Sequence, residues 1–167
     1  MSKFDLTEKL KEELKKRNLW EQEDDEDDND QEENDDDQDE KDSSNHNEDF
    51  CDMVCQLLHS QTQVHIFHLQ TKSYSEHKAL QGYYEDIDDL VDTLVESYQG
   101  EFGIIENYKS FKVESYQDTD QVIAYFEMIL NLVKEGRETI ESTHLQNILD
   151  EIITLVTKTM YKLKFLK

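Results

Sequence analysis

The sequence predicts an all-α protein, a four-helix bundle with a long middle crossover, preceded by a disordered acidic N-terminal extension. Three observations carry this reading. Among 167 residues there are no prolines and only four glycines, so little in the chain can stop a helix or shape a β-turn. From Phe50 to Lys167, apolar side chains recur every three to four positions, the period of a helix face buried on one side. Residues 21–49, by contrast, hold 18 acids and one base, Lys41, and supply most of the net charge of −24. Such a tract repels itself and has nothing to bury, which makes it a solvated linker.

Residues 1–20 carry Phe4, Leu6, Leu10 and Leu14 among Lys9, Lys11, Lys15, Lys16 and Arg17. They read as a short amphipathic helix opened by Asp5 and Glu8, too short to be stable alone and suited to docking on a protein partner. The bundle proper is expected over residues 50–167. Its first helix, about 49–71, shows Phe50, Met53, Val54, Leu57, Leu58, Val64 and Phe67 on one side. The second opens at a capping box of Ser73 and Glu76, carries Leu80, Tyr83, Tyr84, Ile87, Leu90, Val91, Leu94 and Tyr98, and closes at Gly100.

An irregular connection over 101–117 follows, whose Phe102, Ile104, Ile105, Tyr108 and Phe111 suggest packing against the helices. The third helix, about 118–141, presents Val122, Tyr125, Phe126, Ile129, Leu130, Val133 and Ile140, with Gly136 as an internal weak point. A second capping box, Thr143 with Gln146, opens the fourth, which carries Leu145, Ile148, Leu149, Ile152, Ile153, Val156, Met160 and Leu163. Connections that run short, long, short make two antiparallel hairpins joined by a crossover, the ferritin-like variant of a four-helix bundle.

Composition also excludes function classes. A chain this acidic is repelled by a phosphate backbone, so direct nucleic-acid binding is not expected. No apolar run approaches the roughly 20 residues that span a bilayer, so no membrane partner is expected. Met1 to Arg17 has no signal-peptide core, which points to the cytoplasm. Cys51 and Cys55 then stay reduced and read as small buried residues rather than a metal or redox pair, since one pair is half a tetrahedral site. No nucleophile elbow or glycine-rich phosphate loop is present.

Bundles hold metals through carboxylates and imidazoles on facing helices. His68 ends the first helix, His77 opens the second, and Asp92 and Glu96 lie one turn apart further along it. Asp92 is more than about 20 Å from His77 along a straight helix, so the four cannot meet within one chain. Two chains packed antiparallel about a two-fold axis bring the His68/His77 end of one to the Asp92/Glu96 end of the other. Mixed imidazole and carboxylate donors with open positions suit iron or another divalent transition metal. His65, one turn before His68, reads as interfacial polar packing; Glu141 with His144 has the three-residue spacing of a di-iron bundle but straddles a helix break.

The segments QVHIFHLQTKSYSEHKAL and LVDTLVESYQG resemble the Dps family of ferritin-like mini-ferritins. That family places a histidine at the end of the first helix and a second after a short loop, then an aspartate fifteen and a glutamate nineteen residues later. His77, Asp92 and Glu96 match this spacing, and His68 takes the first place after a shorter loop. The resemblance implies a homo-oligomer, at least a dimer, with an intersubunit ferroxidase site for ferrous iron. The sequence resembles even more closely a family of uncharacterised tailed-phage and large-virus proteins.

Gln81 stands where the mini-ferritins usually carry an acid, Leu69 where they carry an aromatic, and the acidic tract where they carry a basic DNA-binding tail. The expected function is therefore a metal-binding bundle with a weakened site at His68, His77, Asp92 and Glu96. The alternative is a non-enzymatic viral accessory or structural protein, virion-associated or in the host cytoplasm, that keeps the bundle for protein–protein interaction.

Overall fold

The computed structural model describes residues 38–166, with side chains described from Glu48 onward. The expected helix over 4–19, and residues 21–37 of the linker, lie outside the described residues. Within them the chain is all-helical, with four helices: α1 (Gln38–Gln70), α2 (Tyr74–Phe102), α3 (Thr119–Thr139) and α4 (Thr143–Phe165).

Each helix buries a stripe at heptad-like spacing. Val54, Leu57, Val64 and Phe67 of α1 are fully buried, as are Leu80, Tyr83, Ile87 and Leu94 of α2. Val122, Phe126, Ile129 and Val133 of α3 face Leu145, Leu149, Ile152 and Val156 of α4 across the same core. Steps of three and four keep one side of a 3.6-residue helix inward, and removing that surface from water is the main driving force for assembly. One polar pair sits inside: the Ser60 hydroxyl donates to the Leu57 carbonyl at 2.7 Å and accepts from Tyr83 Oη at 2.8 Å, so neither buried hydroxyl is left unpaired.

The helices form a closed ring in the order α1, α2, α4, α3, each packed on two neighbours. Side-chain contacts give their directions. Glu76 at the start of α2 receives a hydrogen bond from Thr119 at the start of α3, so those two diagonal helices run the same way. Glu101 near the end of α2 accepts from Ser142, the N-cap of α4, so α2 and α4 run oppositely. Residues 103–118, without regular secondary structure, bring the chain back along the length of the bundle.

Several boundaries differ from expectation. Helix α1 starts at Gln38 rather than Asp49, which takes 38–49 out of the expected linker. Extension costs little once the packed part of a helix exists, and no proline or glycine in that stretch interrupts it. Helix α2 runs past Gly100 and ends at Gly103, whose φ of 94° is the left-handed conformation glycine tolerates; its N–H bonds Gln99 O. Half of the first capping box forms, with Ser73 Oγ accepting from Glu76 N–H. The second does not: the N-cap is Ser142, without a side-chain cap bond, and Gln146 Nε2 instead donates to Ile140 O. Leu58 is exposed, because it lies on the outer side of α1. The crossover packs through Ile105, which is buried, and Phe111, while Phe102, Ile104 and Tyr108 face outward.

Candidate functional site

A three-residue turn, residues 71–73, places the last turn of α1 against the first turn of α2 and so brings His68 and His77 together. The two imidazoles stack with ring centroids 3.7 Å apart and 23° between planes. Each ring also binds the other residue's backbone. Nδ1 of His68 lies 2.9 Å from the His77 carbonyl, and Nδ1 of His77 lies 3.0 Å from the His68 carbonyl. A carbonyl oxygen only accepts, so both Nδ1 atoms carry the proton and, in the neutral rings, both Nε2 atoms hold a free lone pair. Metal-binding histidines have this tautomer, oriented in the same way by a backbone carbonyl.

Tyr84 stands beside the pair, 5.1 Å from the His68 ring and edge-on to it. His65 stacks on Tyr84 of the same chain at 4.2 Å. Below the turn is Glu76, 4% exposed. Its Oε2 accepts from Thr71 Oγ1 at 2.6 Å, Tyr116 Oη at 3.0 Å and Thr119 Oγ1 at 3.4 Å, while Oε1 is buried without a hydrogen-bond partner. This carboxylate ties the turn, the end of the crossover and the start of α3 together. Sequence spacing gave Glu76 a capping role only; its larger role depends on Tyr116, forty residues away.

Asp92 and Glu96 are exposed on α2, remote from the histidines of their own chain. Gln81 lies in an exposed chain of hydrogen bonds, accepting from Lys78 Nζ and donating to Glu85 Oε1, each at 2.7 Å. His144 sits 3.5 Å from Glu101 rather than making a pair with Glu141. Among the described residues no group of three or more His, Cys, Asp or Glu could hold a metal ion. One chain therefore brings together two of the four expected residues, His68 and His77, and leaves Asp92 and Glu96 apart from them.

A second polar feature escaped the sequence reading. Cys51, Cys55, His59 and Gln63 recur every four residues along α1, and the crossover runs over them in the same direction as the helix. Cys51 Sγ meets the carbonyls of Glu106 and Asn107 at 3.4 and 3.8 Å, and Lys109 N–H donates to Cys55 Sγ at 3.3 Å. The His59 ring lies 5.4 Å from Phe111, Gln63 pairs with Glu114, and Gln70 Oε1 accepts from Tyr116 N–H. Burial, and then the neighbouring Cys55, pushes the Cys51 thiol up to about 11. The expected burial of Cys51 and Cys55 is found; the four-residue recurrence that continues through His59 and Gln63 was the available signal for the rest, and only the arriving crossover backbone gives it partners.

A sequence profile matches residues 68–163, more than half of the chain. The chain belongs to DUF5856, a family of unknown function. The DUF5856 segment begins at His68 and ends at Leu163, so it takes in His77, Asp92 and Glu96 and leaves Cys51 and Cys55 outside. No curated protein and no solved structure matches the chain. No described helix is long and apolar enough to cross a membrane.

Proposed function

We propose that this protein is a ferritin-like, Dps-like bundle that binds a divalent transition metal, iron foremost, at a site shared between two subunits. His68 and His77 of one chain supply two imidazole nitrogens, and Asp92 and Glu96 of the other supply two carboxylates. The observation that carries the reading is the reciprocal bonding of the two Nδ1 atoms, which leaves both Nε2 atoms able to donate to a metal. The up-down-down-up course of the helices, with one long crossover, agrees with it.

With Gln81 in place of an acid, two imidazoles and two carboxylates suffice for one divalent ion and are thin for a pair. Where ferrous iron is the substrate, its one-electron oxidation, with dioxygen or peroxide taking the electrons, is slow at such a site. The chain's own contribution is to hold both imidazoles in one tautomer by backbone carbonyls and to present the carboxylates at the distance that only a two-fold neighbour can close.

Calorimetric titration of the full chain with ferrous or zinc ion tests this. The expected result is one saturable divalent ion per chain, lost in His77→Ala and in Asp92→Ala with helicity retained. Mixing the two variants restores part of the binding, because a mixed dimer joins the intact His77 of one chain to the intact Asp92 of the other. No saturable binding would hand the lead to a second reading, a non-enzymatic accessory or structural bundle of viral type that works through protein contacts. In that reading the two imidazoles serve only to clasp the α1–α2 corner through the two carbonyls, and Asp92 and Glu96 are exposed surface acids.

A further inference from the structure

Large apolar side chains stand exposed at both ends of the bundle, and exposed apolar groups that gather in one place mark contact surfaces. One group is Phe102, Ile104 and Tyr108, around the turn of α1 where burial begins. Phe50 of that turn stacks on Tyr98 at 3.6 Å, Tyr98 meets Phe102 at 4.8 Å, and Cys51 Sγ meets the carbonyl of Asn107, next to Tyr108. The other group is Tyr161, Phe165 and Leu166, at the end of α4. Their surroundings carry opposite charge. At the first end Glu101, Glu106, Glu138 and Glu141 are exposed; Ser142 bonds Glu101 and so brings in the α3–α4 turn, and the base Lys109 is tied to Asp52. At the second end the exposed neighbours along α4 are Lys158, Lys162 and Lys164.

We propose that the surface of Phe102, Ile104 and Tyr108 is the docking site of residues 6–17 of the same chain. Those residues lie outside the described ones, and their sequence supplies the complement. Wound as a helix, Leu6, Leu10 and Leu14 make one stripe, with Lys9 and Lys16 along one flank and Lys11 and Lys15 along the other. Asp5, Glu8 and Glu12 then face away, and Glu13, beside the stripe, is four residues before Arg17, a helical ion pair. The leucines cover Ile104 and its neighbours while the flanking ammonium groups reach the carboxylates; at the other end of the bundle the same lysines would meet lysines. The tether fits as well. Helix α1 extends roughly 18 Å from Phe50 back to Gln38. Residues 18–37 join Gln38 to the segment, and a flexible chain of that length spans roughly 25 Å root-mean-square, more where its charges repel. A helix this short is marginal alone, but attachment holds it near the surface at roughly millimolar effective concentration, so weak docking suffices. The contact uses neither the imidazoles of His68 and His77 nor Asp92 and Glu96, and stands apart from the metal-binding reading.

Hydrogen exchange of the full chain, read by mass spectrometry on peptides covering residues 6–17 and 102–108, tests the proposal. The expected result is exchange in 6–17 roughly tenfold or more slower in the unmodified chain than in Ile104→Lys, a change at a side chain 72% exposed that leaves the core in place. Tyr161→Lys, at the other end, should leave that protection as it is. Leu10→Asp lies outside the bundle and should speed exchange in both 6–17 and 102–108, whatever Ile104→Lys does to folding. Roughly hundredfold dilution should change nothing, because the tether makes the contact intramolecular. The proposal fails if 6–17 exchanges at unprotected rates in the unmodified chain, if Ile104→Lys keeps the protection or Tyr161→Lys removes it, or if Leu10→Asp leaves 102–108 unchanged. It fails equally if dilution removes the protection, which would assign the surface to the segment of a second copy.

Discussion

Gln63 grips Glu114 by both ends of its carboxamide: Nε2 donates to the Glu114 carbonyl at 2.9 Å, and Oε1 accepts from the Glu114 N–H at 2.7 Å. The side chain is fully buried and pairs the crossover backbone as a neighbouring strand would. Gln63→Leu keeps much of the volume and leaves both backbone groups of Glu114 without that partner, a loss of about 1–3 kcal/mol. Urea unfolding should show the midpoint fall, and hydrogen exchange at the Glu114 amide should accelerate. An unchanged midpoint would mean that this pairing contributes nothing to stability. Gln63→Glu should fare no better, since it keeps an acceptor, loses the donor and buries a charge.

His59 sets a pH dependence. Burial lowers the pKa of its imidazole below the ordinary 6.5, and its Nε2 is buried without a hydrogen-bond partner. The unfolded chain therefore takes up a proton at a higher pH than the folded chain does. Stability from this residue is complete above about pH 6.5 and is lost as pH falls from there towards the lowered value. His59→Phe removes the titration and the unpaired nitrogen while keeping a ring against Phe111. Between pH 7.5 and 5.5 its urea midpoint should fall less than that of the unmodified chain; an equal fall would assign the dependence to other groups.

Gly136 lies inside α3, where replacement by alanine ordinarily adds about 1 kcal/mol through helix propensity. Here a β-carbon would collide with the Met53 side chain of α1, which is itself 2% exposed. Gly136→Ala alone should therefore show little or none of that gain, because Met53 has to repack within a full core. In a Met53→Ala background the space is open and the same change should add about 1 kcal/mol. Equal effects in the two backgrounds, measured as a double-mutant cycle, would remove the contact from the account.

The sequence by itself determined the helical class, the four helices of the described residues and nearly the whole inward stripe, from Val54 to Leu80, Phe126 and Leu149. Burial of one face at a 3.6-residue period is written into local order. It also placed His68 and His77 at the two sides of one short turn. Only the tertiary structure decided what those imidazoles bind, because each is fixed by the other's carbonyl and neither bond follows from spacing. It alone turned Cys51, Cys55, His59 and Gln63 into the seat of the crossover, and Glu76 into the acceptor for Tyr116 and Thr119. Helix ends show the same division: Gly100 and Gly103 are equivalent as helix-ending residues in the sequence, and only the chain's exit into the crossover gives Gly103 the left-handed turn. A helix period records which side of each segment avoids water, whereas a polar group's partner depends on which backbone arrives beside it after folding.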